Sequence, residues 1–262
     1  MAGFGGIPRS RTQTRGESAL AEISRQAVAL DLGVPLAIRV SPRARRVGLR
    51  IDAAQRRVEL VLPRTVAPEL GLRFLRAKRG WVVARFAALP QPVPFIEGAV
   101  VPILGVPHRI RRSGDPAAAP VEIADAEIRV RGDPTHLSRR VRDHLAAFAC
   151  DELAGRARPL ANRLGRKITR VSVRDPKSRW GSCSSSGNLS FSWRLIFAPS
   201  DVVDYVVAHE VAHLVEMNHG PRFWRLVDSL APGNARQRRW LDRHRAELLS
   251  YGAQCSLTSE RR

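Results

Sequence analysis

The chain has 262 residues, 44% of them hydrophobic, and carries a formal net charge of +20 from 44 Lys and Arg against 24 Asp and Glu. The apolar share supports a packed core and excludes a disordered polyelectrolyte. A balance this basic points toward a polyanion such as nucleic acid, nucleotide or anionic lipid; codon bias favours Arg over Lys but does not thin out the acids.

Residues 1–17, rich in Gly and Arg and without an apolar h-region, read as a disordered tail rather than a secretory signal. An N-terminal β-rich region is expected over 18–133. From Val34 to Pro63 apolar and polar residues alternate, which predicts two or three antiparallel strands. Pro68 to Leu89 predicts one helix. Its apolar stripe is Leu70, Phe74, Ala77, Trp81 and Phe86, with Arg73, Arg76, Lys78, Arg79 and Arg85 outside it. Such a face is either solvated or a contact for nucleic acid or membrane. The Pro-rich "LPQPVPFIEG" (89–98) is a connector. "AVVPILGVPHRIRR" predicts a hairpin turning at Gly105, and "PVEIADAEIRVRG" a further strand pair.

A second domain is expected over 134–251, with a loose tail at 252–262. Pro134 to Gly165 predicts a long helix broken near Pro159, with Leu137, Val141, Leu145, Phe148 and Leu153 at core spacing. "KITRVSVRD" is a strand, and "SRWGSCSSSGNLSFSW" a hairpin turning at Ser186-Gly187-Asn188. "LIFAPSD" leads into a helix that Ser200 or Asp201 can cap. Helices at Pro221–Leu230 and from Ala235 to about Tyr251 complete the pattern. The longest apolar run, Val202 to Met217, is interrupted by Asp204, His209, Glu210, His213 and Glu216. It is too short and too polar to span a bilayer. Cys150, Cys183 and Cys255 are too few and scattered for a disulfide framework. The expectation is a soluble cytoplasmic protein that does not engage a membrane.

The stretch "VVAHEVAHLVEMNH" holds three of the seven histidines. Imidazoles and a carboxylate on an apolar helix require partners. His209 and His213, four apart, share one helix face and can present two nitrogens to one cation. Glu210 points roughly 100° around the axis, beside the metal, where its carboxylate can take a proton from water. A third ligand is expected from His219, returned by a left-handed Asn218 that ends the helix. The spacing from His209 to His219 equals H-E-x-x-H-x-x-G-x-x-H, with Glu216 in the glycine position. Glu216 is a candidate to orient an imidazole or an arginine, or to act as an alternative third ligand. The competing reading is a buried helix whose histidines merely hydrogen-bond. His108, His136, His144 and His244 stand alone and read as packing or surface.

The segment "DPKSRWGSCSSSGNLSFSWRLIFAPSDVVDYVVAHEVAHLVEMNHGPRFW" closely resembles the YgjP-like metallopeptidase domain, grouped with the M48, SprT-like and WLM zinc hydrolases. The likeness is strong from Lys177 to Trp224. It is looser over 34–250, where it includes "RVELVLP", "GLRFLRAKRGWV" and "PILGVPHRI". The resemblance implies His209, His213 and His219 as metal ligands and Glu210 as catalytic base. Gly220 stands where the family commonly has Ser, which loses a hydroxyl but no ligand. The expected fold class is α+β: an N-terminal antiparallel β-rich region with one helix, then a zincin-like domain with a β-hairpin and the HExxH helix.

In "SRWGSC" an extended strand beside the metal helix can pair with substrate backbone. Arg179 and Ser182 are candidates for substrate binding or oxyanion stabilisation. Trp180 and Cys183 read as packing, and Trp193, Phe223 and Trp224 as aromatics covering the site. The expected cofactor is Zn2+ or another divalent metal. The leading activity is hydrolysis of a peptide or protein substrate. A metal-dependent hydrolase of nucleoside triphosphates and a DNA-associated SprT-like protease remain open, although no G-x-x-x-x-G-K-[ST] phosphate loop is present.

Overall fold

The structure is a computed structural model that describes residues 33–253 apart from 54, 116 and 177. The tail expected at 1–17 and residues 254–262 lie outside the described residues. The chain divides into two compact units between Leu89 and Pro90.

In the first unit the alternating residues form β1 (Leu36–Ser41), β2 (Gly48–Asp52) and β3 (Arg57–Pro63), in the order β1-β3-β2. Only β2 is antiparallel to β3; β1 runs parallel to it, unlike the expected antiparallel set. The reason is that β3 takes the centre, with Val58, Leu60 and Leu62 buried. Its hairpin partner β2 occupies one edge, so β1 fills the other and lands parallel. The expected single helix is two: α1 (Pro68–Ala77) and α2 (Arg79–Ala87), joined at Lys78, whose φ of -104° and ψ of 9° leave the helical register. The bend brings Leu72, Leu75 and Val82 into one core over the sheet. Leu70 and Trp81, placed in the apolar stripe by their spacing, are instead half exposed at 50% each. Gly71 lets α1 approach β3 closely, since a Cβ there would lie 2.5 Å from Leu62 Cδ2.

The second unit opens with β4 (Val100–Ile103), β5 (Val106–Ser113), β6 (Val121–Ala124) and β7 (Glu127–Arg131), in the order β4-β5-β7-β6. Both hairpins turn on consecutive left-handed residues, Leu104-Gly105 and Asp125-Ala126, as two-residue turns between twisted strands require. α3 (Leu137–Arg163) then runs unbroken through Pro159. Leu153, Ala154, Ala157 and Ala161 are buried on either side of the proline, so packing offsets the lost backbone bond. α3 packs on β6 and β7, so the boundary expected between 133 and 134 falls inside this unit.

A second sheet holds β8 (Arg170–Arg174), β9 (Gly181–Cys183) and β10 (Asn188–Ser192), in the order β8-β10-β9. The β9–β10 hairpin is antiparallel and closes at Gly187, φ 77°. A buried 3-10 turn, Trp193–Phe197, leads to α4 (Ser200–Ala212), followed by α5 (Pro221–Leu230) and α6 (Ala235–Ser250). No side chain caps α4; Pro199 holds the cap position and its carbonyl accepts from the Val202 and Val203 amides. Ser200 Oγ instead accepts from Arg156, which also reaches Asp204 at 2.7 Å and Glu152 at 2.6 Å and so ties α3 to α4. Around α4 pack α3, α5, α6, the 3-10 turn and β9, with Val203, Val207 and Val211 fully buried. Among the described residues no helix is long and apolar enough to cross a membrane.

Candidate metal centre

The apolar residues of α4 bury the helix so deeply that the polar groups on it are carried inside. The helix ends at His213, earlier than its apolar run suggests. The Leu214 amide donates to Val211 and those of Val215 and Glu216 to Ala212, so the chain turns at once. Asn218 is not left-handed, contrary to expectation; the Gly220 amide donates to the Asn218 carbonyl at 2.7 Å in a tight turn that carries His219 back.

The result is a single cluster. Ring nitrogens of His209, His213 and His219 lie within 4.8 Å of one another. Nε2 of His209 and Nε2 of His219 face each other at 3.1 Å. Nδ1 of His213 donates to the Glu216 carbonyl at 3.0 Å, which leaves its Nε2 with a free lone pair. Nδ1 of His209 is buried without a hydrogen-bond partner. Burial, followed by the neighbouring histidines and Arg238, pushes His209 down to about 4. Burial also lowers His213. Both imidazoles are therefore neutral near pH 7, the form that donates a lone pair to a metal. Three converging nitrogen donors, two of them kept neutral by burial, with Nε2 of His209 facing Nε2 of His219, fit a divalent cation.

Glu210, on the same helix, is 6% exposed. Burial pushes its carboxyl up to about 7, against the charge of Arg179, which lowers it. β9 lies directly on this carboxylate. A Cβ at Gly181 would stand 2.5 Å from Glu210 Cγ and Oε1, so only glycine leaves room. Between them opens a cleft of about 260 Å3 lined by Arg179, Trp180, Gly181, His209, Glu210 and Arg238, among others.

Phe223 of α5 is fully buried and stacks on His213 at 4.5 Å. Trp224 lies beside His209 and His219, with centroids at 5.8 and 5.9 Å. Trp193 is elsewhere, against Phe95 and Phe197, so two of the three expected aromatics cover the site. Burial, then the charge of Glu210, pushes Cys183 up to about 11, which leaves it a thiol.

Of the other candidates, Arg179 enters the cleft and Ser182 does not; Ser182 sits within β9 opposite Ser190. Glu216 acts through its main-chain carbonyl, and its carboxylate is outside the cluster. Among the described residues the remaining histidines form no such group; His244, for instance, stacks on Trp240 at 4.1 Å. The sequence reading missed Arg238, Tyr205 and Asp242, which also line the cleft. No motif marks Arg238 and Asp242, since α6 carries only a general excess of arginine, and Tyr205 reads as one more apolar residue of α4.

A family model described as YgjP-like, metallopeptidase domain, matches residues 45–244. The chain belongs to the YgjP-like metallopeptidase family. The match spans the histidine cluster, Glu210 and the whole cleft, as the resemblance from Lys177 to Trp224 implied. The protein is thus a hydrolase of metallopeptidase type, and membership implies a metal cofactor. One similar solved structure is that of the abylysin metallopeptidase zymogen of Pyrococcus abyssi. It is 24% identical, covers 37% of this chain and 94% of its own, and has a TM-score of 0.32. No curated protein matches the chain.

Proposed function

We propose that the protein hydrolyses peptide bonds, with His209, His213 and His219 holding one divalent cation, Zn2+ in the first instance, and Glu210 serving as general base. The observation that carries this reading is the convergence of three ring nitrogens within 4.8 Å of one another, one residue from a buried carboxylate. When bound, such a cation polarises a carbonyl and acidifies a water.

Glu210 supplies the proton acceptor. Its pKa of about 7 places it near the operating range of a base that must also return the proton. The carboxylate oxygen takes a proton from water in the cleft and passes it to the departing amine. Gly181 keeps the strand from displacing that oxygen. β9 is the edge of its sheet, so its outer side can pair with an extended substrate backbone. The His213–Glu216 bond holds one imidazole in the correct tautomer. Nitrogen donors also accept other divalent ions, so Zn2+ rests on the donor set and availability. Cys150 and Cys183 are unpaired, which supports a reducing, cytoplasmic setting.

The test is a metal assay joined to a substrate assay. Purified protein should contain one divalent ion per chain and cleave unstructured peptides, with chelator abolishing cleavage and Zn2+ restoring it. Glu210→Gln should keep the metal and lose turnover. Hydrolysis of nucleoside triphosphates without peptide cleavage would overturn the proposal.

A further inference from the structure

Arg179 and Arg238 reach the same cleft from different elements, one ahead of β9 and one on α6. Neither forms an ion pair among the described residues. Asp242 follows Arg238 by one helical turn and also lines the cleft. Arg238 nevertheless leaves it unpaired and lies over the Trp224 ring, Cζ 5.4 Å from the centroid. That ring in turn packs beside His209 and His219. The charge of Arg238 acts on His209 and that of Arg179 on Glu210. Two guanidiniums in one cleft, neither closed into a salt bridge and one near each reacting group, favour an anion, and the planar fork matches a carboxylate. The aromatic shelf beneath Arg238 orients it in advance.

We propose that Arg179 and Arg238 together bind a carboxylate of the peptide substrate, which makes the enzyme selective for peptides that place a carboxylate at this subsite. This rests on the peptidase reading. The carboxylate is either an Asp or Glu side chain beside the scissile bond or the C-terminus itself. Full-length Glu210→Gln is titrated with matched peptides carrying Glu or Ala, each as free acid or C-terminal amide. The Glu peptide, or the free acid, should bind about tenfold more tightly. Arg238→Gln and Arg179→Gln should each remove most of that difference, and Arg238→Lys should keep part of it. Equal binding of all four peptides overturns the proposal, as does tighter binding of a nucleoside triphosphate at the same arginines. Charge-selective binding by a wild-type enzyme that cleaves no peptide would sink the peptidase reading alone. Cleavage without charge selectivity would sink the selectivity alone.

A separate observation concerns the first unit. Residues 33–89 hold thirteen Arg and Lys against three Asp and Glu, a net of +10, whereas residues 90–253 hold 25 against 17. Codon bias acts on both alike and cannot produce this partition. Two of the three acids, Asp52 and Glu59, are themselves engaged by Arg57, at 3.6 and 3.1 Å. Exposed Trp81 lies one turn from Lys78 and from Arg85. Val83, the other large exposed hydrophobic residue of α2, is on a different face, so Trp81 has no second bulky apolar residue beside it to offer a bilayer.

The geometry points to a single-stranded nucleic acid on this unit, with arginines on phosphates and Trp81 stacked on a base. The full-length protein is titrated with labelled oligo-dT, a duplex and vesicles containing phosphatidylserine. Oligo-dT should bind, and its affinity should fall steeply between about 50 and 200 mM salt. Trp81→Ala should weaken it about tenfold. Arg73→Gln with Arg76→Gln should lower the salt slope. No binding at low salt, preference for vesicles, or full affinity in Trp81→Ala overturns the assignment.

Discussion

Gly181→Ala adds one methyl group at the point where β9 meets the catalytic carboxylate. The new Cβ would lie 2.5 Å from Glu210 Cγ and Oε1 and 2.7 Å from Cδ. Ordinary contact begins near 3.4 Å, so the carboxylate or the strand must move by about 1 Å. Glu210 is enclosed by α4, which is itself buried, and the flexible partner is the side chain rather than the helix. A displacement of this size at a reacting group costs about 10²-fold in rate, or ~2.7 kcal/mol of barrier. Overpacking should also lower stability by about 1–3 kcal/mol. The assay compares kcat and KM on a peptide substrate, metal content and thermal melting for wild type and variant. The expected result is a fall in kcat with metal content unchanged. Adding Glu210→Asp, which shortens the side chain, should recover part of the loss in the double variant. Wild-type kcat in a fully metallated Gly181→Ala protein would refute the close approach and the role built on it.

In metal-free protein, Glu210 binds its proton more tightly folded than unfolded, so it destabilises the fold progressively as pH rises from about 4.5 to about 7. Glu210→Gln should therefore match wild type in acid and exceed it by about 3 kcal/mol at most above neutrality, as denaturant melts across pH would show; a constant difference contradicts the burial argument. His209, depressed to about 4, acts in the opposite sense, contributing stability above its ordinary value that is lost as pH falls toward 4. Removing its imidazole should flatten that acid limb. Cys183, held as a thiol by a value of about 11 against 9.0, should alkylate roughly a hundredfold more slowly at pH 8 than an unperturbed cysteine, with Cys150 and Cys255 replaced by serine. Fast labelling would show the thiol to be open. Phe223→Ala removes a fully buried ring stacked on His213, so melting should report a loss of about 3–5 kcal/mol and metal titration a weaker site.

The site was legible in the sequence to the extent that its chemistry is local. His209 and His213 follow from helical spacing, and the β9–β10 hairpin from the glycine at its turn. Features set by tertiary packing were not legible. The α1–α2 bend at Lys78 is imposed by a shared core rather than by a breaker at that residue. Pro159 failed to break α3 because buried alanines and Leu153 hold both sides. The helix was expected to reach Asn218 because its apolar run continues, yet it stops at His213, where the return of His219 begins. Glu216 attracted notice for its carboxylate, but its contribution is a main-chain carbonyl that any residue supplies. Arg238 enters the cleft from α6, a helix that follows the motif in the chain and carries no pattern of its own.

The most direct measurement is X-ray absorption on protein loaded with one equivalent of Zn2+. Three imidazole nitrogens at about 2.0–2.1 Å and one oxygen donor are predicted. A sulfur donor, a shell with fewer than three imidazoles, or a spectrum unchanged when His209, His213 and His219 are all replaced by alanine would contradict the assignment.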